Sequence, residues 1–494
     1  MRSNTKPGLS RELGLLGLVA TGACAMMGAG VNVVPIMVHR SVPGIGPWVF
    51  AAYAIAVLPT ILAAFSYAML SSAMPRAGGS YVFVSRSLSP YLGFVASFSQ
   101  WFGLSMAIGV VSYVLVPFLR DLAQALSLMG VASFLARDAA RLLIPIAFLW
   151  VFAGINLLGA KIYERTLVPL MFLMFIGGLV AIPVGFSFTH SDFIAAVEAR
   201  EGVTVSLPPE ARFELGTFLA ASVLLFSSYV GFDSIAQAGG EAKNPERNLP
   251  LAIVITIAVV ASYYLAFTAA VYHAVPWNFV AERAMTADLT APGLLGYLLS
   301  PGWSVIIVAA AIIGLINDLP AMILSVSRLL FAWAEDEIFP TGLAAINERY
   351  HTPHWAIALS ALTATSSIVL SYSAGDFLIG IDLMVTAMLV NFLLMTLSVL
   401  FLPRRNPKLA SRIRFMRSRT AQVVVAGTGA VLLATLIGVQ IVKDISEETL
   451  WYFHAFYLYL IVLVVASWIF FHRWSLLHRR GVDLEARFST LPEN

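Results

Sequence analysis

The sequence predicts an all-α integral membrane protein with twelve transmembrane helices. Of its 494 residues, 59% are hydrophobic and 12% are charged, whereas a soluble domain has roughly 25% charged residues. The apolar residues fall in runs of about 20 or more, which are long enough to cross the hydrocarbon core as helices and too long for the strands of a β-barrel. The predicted spans are 13–38, 46–74, 90–119, 141–160, 166–186, 215–239, 249–274, 301–333, 353–372, 378–402, 421–442 and 451–473.

Basic residues are concentrated on one side of the predicted membrane. The segment 404–419 holds seven basic residues and no acidic residue. The loop from His190 to Glu214 lies on the other side and is mostly acidic. Because cytoplasmic loops carry an excess of Lys and Arg, we expect a multi-pass protein of the plasma membrane with both termini in the cytoplasm. Three arginines on the acidic side oppose this orientation: Arg120, Arg137 and Arg141.

The sequence lacks the motifs of common catalytic and cofactor sites. It has no GxxxxGK[ST] or GxGxxG motif, no paired metal-ligand spacing and no plausible Ser-His-Asp pattern. The single cysteine, Cys24, excludes an internal disulfide framework. We therefore expect no enzymatic activity, no cofactor, no metal site and no nucleic-acid partner. The expected partners are the lipid bilayer and a small-molecule substrate.

Three glycines weaken the centre of the first predicted span, in the stretch "GACAMMGAGV" (22–31). Each glycine in a helix interior costs about 1 kcal/mol relative to alanine. Close helix packing would need small residues at a spacing of four, and Met26 interrupts that spacing. The pattern instead favours an unwound stretch at Gly28–Gly30, which is tolerated in a membrane only where it faces protein or a water-filled cavity. Such a break exposes N–H groups that attract anions and carbonyl groups that attract cations.

The sixth predicted span contains a second break, in "LLFSSYVGFDSIAQ" (224–237). Ser227, Ser228 and Gly231 weaken this helix, and Asp233 follows them. Asp233 is suited to cap the half-helix that begins near Ser234; the alternative is a direct role in ligand binding. Because the breaks occupy corresponding positions of two five-span halves, the pattern is typical of transporters with inverted repeats and a midplane site.

Four stretches of this chain resemble the amino acid–polyamine–organocation (APC) superfamily of permeases. The resemblance implies a LeuT-like fold, in which helices 1–5 and 6–10 form inverted repeats and helices 11 and 12 lie outside. It also implies the transport of amino acids by alternating access. The four stretches are "GACAMMGAGV" (22–31), "SSAMPRAGGSYVFVSRSLSPYLGFVASFSQW" (71–101), "GFDSIAQAGGEAKNPERNLPLAI" (231–253) and "SRLLFAWAEDEIFP" (327–340).

The resemblance implies that both helix breaks bind the substrate. In this family the first break holds the carboxylate and amine of an amino acid, and carbonyl groups of the sixth-helix break hold its ammonium group. Two broken helices supply opposite partial charges for such a zwitterion without a buried full charge. The corresponding residues are Met26, Met27, Gly28, Ala29 and Gly30 in span one, and Ser227, Ser228 and Val230 in span six.

Two departures from the family pattern leave the driving ion open. Met69 stands where many members carry a glutamate in the second helix, and the fifth span lacks the lysine of some proton-coupled members. Charged residues at bilayer depth are costly and are functional candidates by default. Asp318 lies mid-span, so we expect it to couple transport to a proton; the alternatives are a kink-stabilising role, sodium coupling and substrate exchange. Arg328, near the inner end of span eight, is expected to extend its charged end to the interface.

Four regions follow from these assignments. Residues 1–186 form the first repeat, 187–214 an extracellular loop, 215–402 the second repeat, and 403–494 helices 11 and 12 with a cytoplasmic tail. Within transport, the rival hypothesis is a polyamine or organocation carrier, which would need acidic residues in the pocket. From another class, a membrane-embedded channel would need a repeated polar face, and a sensor would need a soluble signalling domain. The apolar surroundings of the site and the small residues Ala29 and Ser228 favour a neutral substrate.

Overall fold

The computed structural model describes residues 8–374, 378–447, 450–451 and 454–491. Within these ranges the regular secondary structure is helical, and eleven helices are long and apolar enough to cross a membrane. The chain is therefore a multi-pass, all-α membrane protein, as predicted. Its first predicted span, 13–38, is divided among three shorter helices, which we call together α1: Leu15–Cys24, Ala29–Asn32 and Val34–Ser41.

The other membrane helices follow in chain order, and we number them α2 to α12. The sixth, α6, consists of Leu215–Phe226, a 3-10 turn at Ser227–Tyr229 and a short helix at Ser234–Gln237. The others are α2 (Val49–Ala73), α3 (Pro90–Ala125), α4 (Asp138–Leu157), α5 (Ala160–Ser187), α7 (Pro245–Ala274), α8 (Pro301–Glu335), α9 (His354–Ala374), α10 (Leu378–Arg405), α11 (Arg419–Ser446) and α12 (Ala455–Arg479).

Shorter helices connect these spans. Two of them were not predicted from the apolar runs, because their sequences mix polar and apolar residues. The helix Gly79–Ser87 precedes α3, and the helix His190–Glu201 lies within the predicted loop 187–214. The remaining short helices are Gly46–Trp48, Met129–Leu135, Trp277–Ala284, Ala291–Leu295, Thr341–Ala344, Pro407–Ala410 and Leu484–Ser489.

Burial separates the inner helices from the outer ones. In α8, 78% of the most apolar window is buried inside the protein, and α3 and α10 reach 72%. The corresponding share is only 28% in α11 and 22% in α12. Since the side chains that α11 and α12 leave exposed are apolar, these two helices face lipid, whereas α3, α8 and α10 surround the interior together with α1 and α6.

The side of the bundle that carries the basic loops, which we call the basic side, is closed by paired backbone and buried charge. The Leu13 N–H donates to the Glu241 carbonyl at 2.9 Å, and the Lys243 N–H donates to the Leu13 carbonyl at 2.8 Å. The Arg328 guanidinium lies 2.6 Å from the Glu241 carboxylate, and both side chains are 1% exposed. The expectation that Arg328 reaches the interface is wrong, because Glu241 neutralises its charge inside the protein.

The opposite, acidic side is held by more exposed contacts. The helix His190–Glu201 begins with a capping box formed by Thr189 and Asp192. At the other end of that helix, Glu201 accepts hydrogen bonds from Tyr297 and Arg283. The hydrogen bond from Tyr297 lowers the pKa of the Glu201 carboxyl group. These contacts tie the outer loop to the connection between α7 and α8.

Candidate functional site

The first break unwinds α1 slightly earlier than the sequence pattern predicts. The helix Leu15–Cys24 ends at Ala25, and Gly28 adopts φ −111° and ψ −104°, outside the helical region. Helical structure resumes at Ala29, so Ala29 and Gly30 lie at the start of the next segment rather than within the unwound stretch. The reason is that Ala29 provides the carbonyl to which the Val33 N–H donates at 2.9 Å.

The second break lies between Ser227 and Asp233. A 3-10 turn at Ser227–Tyr229 is followed by extended backbone at Val230, with φ −75° and ψ 139°. Gly231 has φ +132°, a conformation that residues with a Cβ atom rarely adopt. A Cβ atom at Gly231 would also overlap the carbonyl group of Ala25. Glycine at this position therefore allows the break in α6 to pack directly on the break in α1.

The two breaks meet, and three tyrosines satisfy nearby carbonyl groups. A Cβ atom at Gly30 would lie 3.0 Å from the Ser228 Cα atom. The Tyr53 hydroxyl donates to the Gly30 carbonyl at 3.1 Å, and the Tyr264 hydroxyl donates to the Met26 carbonyl at 2.5 Å. Tyr229 donates in turn to the Tyr53 carbonyl at 3.3 Å. The unwound backbone is thus held in place by side chains of α2 and α7 that the sequence pattern did not single out.

A cavity, which we call the central cavity, opens where the breaks meet. Six of the residues that the sequence predicted for the site line it: Met26, Ala29, Gly30, Ser227, Val230 and Asp318. Two more come from α1, namely Ala25 and Val34, and the rest form an apolar wall. This wall consists of Ala107, Val110 and Val111 from α3, Met322 from α8, and Ile381 and Met384 from α10.

Three predicted residues support the central cavity without lining it. Met27 lines a neighbouring cavity between α1, α5, α7 and α8. Gly28 packs against Asp318, and a Cβ atom at Gly28 would overlap the Asp318 carboxylate. Ser228 packs against Gly30. Gly28 lets the Asp318 side chain approach the α1 backbone closely, and the contact between Ser228 and Gly30 brings the two breaks together.

The α3 residues that face the central cavity are not the polar ones. Gln100, Trp101 and Ser105 are polar or aromatic residues of α3, yet the cavity is bordered further along the helix. Gln100 is fully buried and accepts hydrogen bonds from Ser80 at 2.5 Å and from Gln237 at 2.7 Å. Gln100 and Ala107 are seven residues apart and share one face of α3, so position along the helix axis, rather than side-chain polarity, decides which residues reach the cavity.

The two buried aspartates at the breaks have different surroundings. Asp233 stands at the N-cap position of Ser234–Gln237, but its side chain makes no capping hydrogen bond. It accepts from the Gly231 N–H at 3.0 Å and from the Gln100 side chain. The capping prediction is therefore wrong, because the carboxylate turns back towards the break. The Asp318 Oδ1 atom, by contrast, has no hydrogen-bond partner among the described residues.

The residues on either side of Asp318 in α8 make hydrogen bonds to neighbouring helices. Next to it, the Asn317 side chain donates to the Cys24 Sγ atom at 2.7 Å. The carbonyl of Pro320, one turn further, accepts from the Asn156 side chain at 3.1 Å. Asn156 thus connects α4 to α8 two residues beyond Asp318, and the Asp318 carboxylate faces the central cavity.

The fold and the site define a membrane protein whose two interrupted helices enclose a central cavity. A model of the amino acid permease family matches residues 13–466, and the chain belongs to this family. The family places it in the APC superfamily, as the four sequence stretches suggested.

Curated relatives have diverged considerably from this chain. Human cationic amino acid transporter 4 is 27% identical over 386 residues, which cover 74% of this chain and 56% of the relative. The branched-chain amino acid permease BcaP of Bacillus subtilis is 25% identical, with 81% and 83% covered. The methylthioribose transporter of the same bacterium is 24% identical, with 90% and 93% covered. The chain spans little more than half the length of the cationic amino acid transporter from human.

Proposed function

We propose that this protein is a secondary active transporter that moves amino acids across the plasma membrane by alternating access. The observation that carries the proposal is the meeting of two interrupted helices at the central cavity. In this proposal the first amide groups after the α1 break, at Ala29 and Gly30, bind the substrate carboxylate. Carbonyl groups of Ser227 and Val230 bind its ammonium group. Residues 1–186 and 215–402 act as the two inverted repeats, and both termini lie in the cytoplasm.

The wall of the central cavity favours a substrate with an uncharged, aliphatic side chain. The α3 part of the wall is Ala107, Val110 and Val111, and α10 contributes Ile381 and Met384. A cationic side chain that entered this wall would lose its hydration, and the acidic side chain that lines the cavity, Asp318, lies against Gly28 at the α1 break rather than in the wall. The names of the relatives include both cationic and branched-chain amino acids, so the wall supplies the argument for choosing the second class.

Asp318 is the proposed coupling group. It is the one acidic side chain among the described residues that line the central cavity, and its Oδ1 atom has no described hydrogen-bond partner. A buried carboxylate without a partner is unfavourable, so the site is stabilised by a bound proton or cation. We propose that a proton bound at Asp318 favours one gate position and that its release favours the other.

Uptake into proteoliposomes tests the function. The purified protein should accumulate radiolabelled leucine with saturable kinetics, and a linear, unsaturable flux would instead identify a channel. Leucine methyl ester and N-acetyl-leucine should compete poorly, because each lacks one charge of the zwitterion. Arginine should also compete poorly if the apolar wall contacts the side chain of the substrate, because the arginine side chain is charged. Competition by putrescine as strong as that by leucine would favour the polyamine carrier.

A pair of glycine variants tests the position of the site. Gly30→Val should abolish leucine binding, because its Cβ atom would lie 3.0 Å from Ser228 and block the approach to the first amides. Gly438→Val in α11 is the matched control, since no atom lies within 4 Å of a Cβ atom there. Both variants should be expressed normally. Unchanged leucine affinity in Gly30→Val would refute the proposed site.

A further inference from the structure

A groove on the basic side lies where the start of α3 meets the end of α10. Its apolar part is formed by Leu88, Leu92 and Phe401, and its polar part by Ser87, Arg404 and Arg405. Phe401 is 42% exposed even though it lies on a membrane-spanning helix. The groove therefore joins the lipid-facing surface of the protein to a pair of adjacent arginines at the membrane interface.

Arg404 and Arg405 differ in their pairing from Arg86 and Arg328, the two buried arginines of the basic side. Arg86 is bound to Asp336 at 2.8 Å, and Arg328 is bound to Glu241. Arg404 and Arg405 are exposed, and neither forms an ion pair or side-chain hydrogen bond with any residue of the described ranges. Their charges are thus available to a ligand from outside the chain.

We propose that this groove is a binding site for an anionic phospholipid of the membrane leaflet on the basic side. The phosphate group binds between Arg404 and Arg405, and an acyl chain packs along Leu88, Leu92 and Phe401. Basic pockets between membrane helices on the cytoplasmic side suit acidic lipid headgroups. Free inorganic phosphate would use only the polar half of the groove, so the apolar half is the reason for choosing a lipid.

The position of the groove suggests what the lipid does. Ser87 and Leu88 end the short helix Gly79–Ser87, whose first residue packs against Ala236 in the second half of α6. A Cβ atom at Gly79 would lie 2.9 Å from the Ala236 carbonyl carbon. A lipid that bridges α10 and this helix would hold it against α6 and so stabilise the closed basic side.

Native mass spectrometry of the full-length, delipidated protein tests the site. The probes are phosphatidylglycerol and phosphatidylcholine with the same acyl chains, titrated separately. Wild type should bind the first phosphatidylglycerol molecule more tightly than phosphatidylcholine. The double variant Arg404→Gln/Arg405→Gln should weaken that binding by about tenfold or more, because it removes both positive charges that attract the anionic headgroup.

A control variant separates a specific site from general surface charge. Arg479 and Arg480 are exposed at the end of α12, and Arg479→Gln/Arg480→Gln removes the same charge from elsewhere on the protein. This control should bind phosphatidylglycerol like wild type. Equal losses in both double variants, or no preference for phosphatidylglycerol in wild type, would overturn the proposal.

A second pair of measurements distinguishes a lipid from its headgroup. Glycerophosphoglycerol, which lacks acyl chains, and inorganic phosphate should fail to displace phosphatidylglycerol at concentrations equal to that of the lipid. Leu92→Ser should weaken lipid binding several-fold while leaving both arginines in place. Displacement by inorganic phosphate at equal concentration would assign the arginines to free phosphate and overturn the lipid proposal.

Discussion

Asp233 and Asp318 are both buried aspartates beside a helix break, yet their hydrogen bonding differs. Asp233 accepts from the Gly231 amide and from Gln100, which itself belongs to a network with Ser80 and Gln237. Asp318 faces the α1 break at Gly28 and leaves Oδ1 without a described partner. A carboxylate within the bilayer region costs about 2.5–3.5 kcal/mol on insertion scales, so each must be stabilised, and only Asp233 is stabilised by the chain itself.

The difference shows how burial alone fails to identify a functional carboxylate. Asp233 is 0% exposed and Asp318 is 2% exposed, so accessibility does not distinguish them. Their hydrogen-bond partners do, because a fully bonded carboxylate rigidifies a break whereas a carboxylate with a free oxygen can take up a ligand or a proton. We therefore expect substitutions of Asp318 to change transport and substitutions of Asp233 to change stability.

The largest effect is expected for Asp318→Asn. The amide keeps the size of the side chain but cannot exchange a proton, so accumulation of leucine against an imposed pH gradient should be lost completely. Exchange of external for internal leucine should continue, because it needs no net proton movement. Both rates are measured in proteoliposomes. If leucine accumulation by the variant still follows the pH gradient, Asp318 is not the coupling group.

Wild type provides the companion measurement. Its accumulation should follow an inward pH gradient and should be unaffected by a sodium gradient. Accumulation that ignores the pH gradient but follows sodium would make Asp318 part of a cation site rather than a proton carrier. If accumulation followed neither the pH gradient nor the sodium gradient, the protein would be an exchanger.

Gly28→Ala is expected to have the next largest effect. The added Cβ atom would overlap the Asp318 carboxylate, so the carboxylate must move away from the break. We expect leucine uptake to fall by about tenfold, which corresponds to about 1.4 kcal/mol, within the range for overpacking. Gly154→Ala on α4 is the control, because open space surrounds that position. Equal uptake by the two variants would contradict close contact between Gly28 and Asp318.

Asp233→Asn should affect stability more than the mechanism. Its amide would point a donor at the Gln100 amide donor, and leaving one buried group unsatisfied costs about 1–3 kcal/mol. Thermal unfolding in detergent, followed with a thiol-reactive dye, measures the loss, because Cys24 is buried and is the one cysteine in the chain. Adding Gln100→Glu should restore stability, since donor and acceptor are then exchanged. A double variant no more stable than Asp233→Asn would refute this pairing.

The smallest effect is expected for Cys24→Ser. The Asn317 side chain donates to the Cys24 Sγ atom at 2.7 Å, and a serine hydroxyl accepts in the same place. Leucine uptake should stay within about twofold of wild type, because a volume-conserving change of one weak acceptor costs little. Cys24→Leu is the contrasting variant, because overpacking beside Asn317 should displace the neighbouring Asp318. Loss of uptake in Cys24→Ser would show that the thiol itself has a role.

Much of the site was predictable because it depends on the backbone. Glycines in "GACAMMGAGV" and the sequence Ser227-Ser228 followed by Gly231 mark places where a helix is weak, whatever surrounds it. The exact unwound residues were less predictable, and the first break lies at Ala25–Gly28 rather than Gly28–Gly30. Hydrogen bonds from Tyr53 and Tyr264 hold the broken segment, and their positions depend on how α2 and α7 pack.

By itself, the sequence determined the class of protein, the long helices and the two weak points, because each follows from local apolar length and from glycine's backbone freedom. The tertiary structure alone decided which side chains share a cavity. The depth at which the helix breaks meet α3 places Ala107 and Val111 rather than Gln100 at the central cavity, and the packing of α8 on α1 places Asp318 beside Gly28. Such contacts join residues hundreds of positions apart, and they are set by the summed packing of many helix faces rather than by any short stretch of sequence.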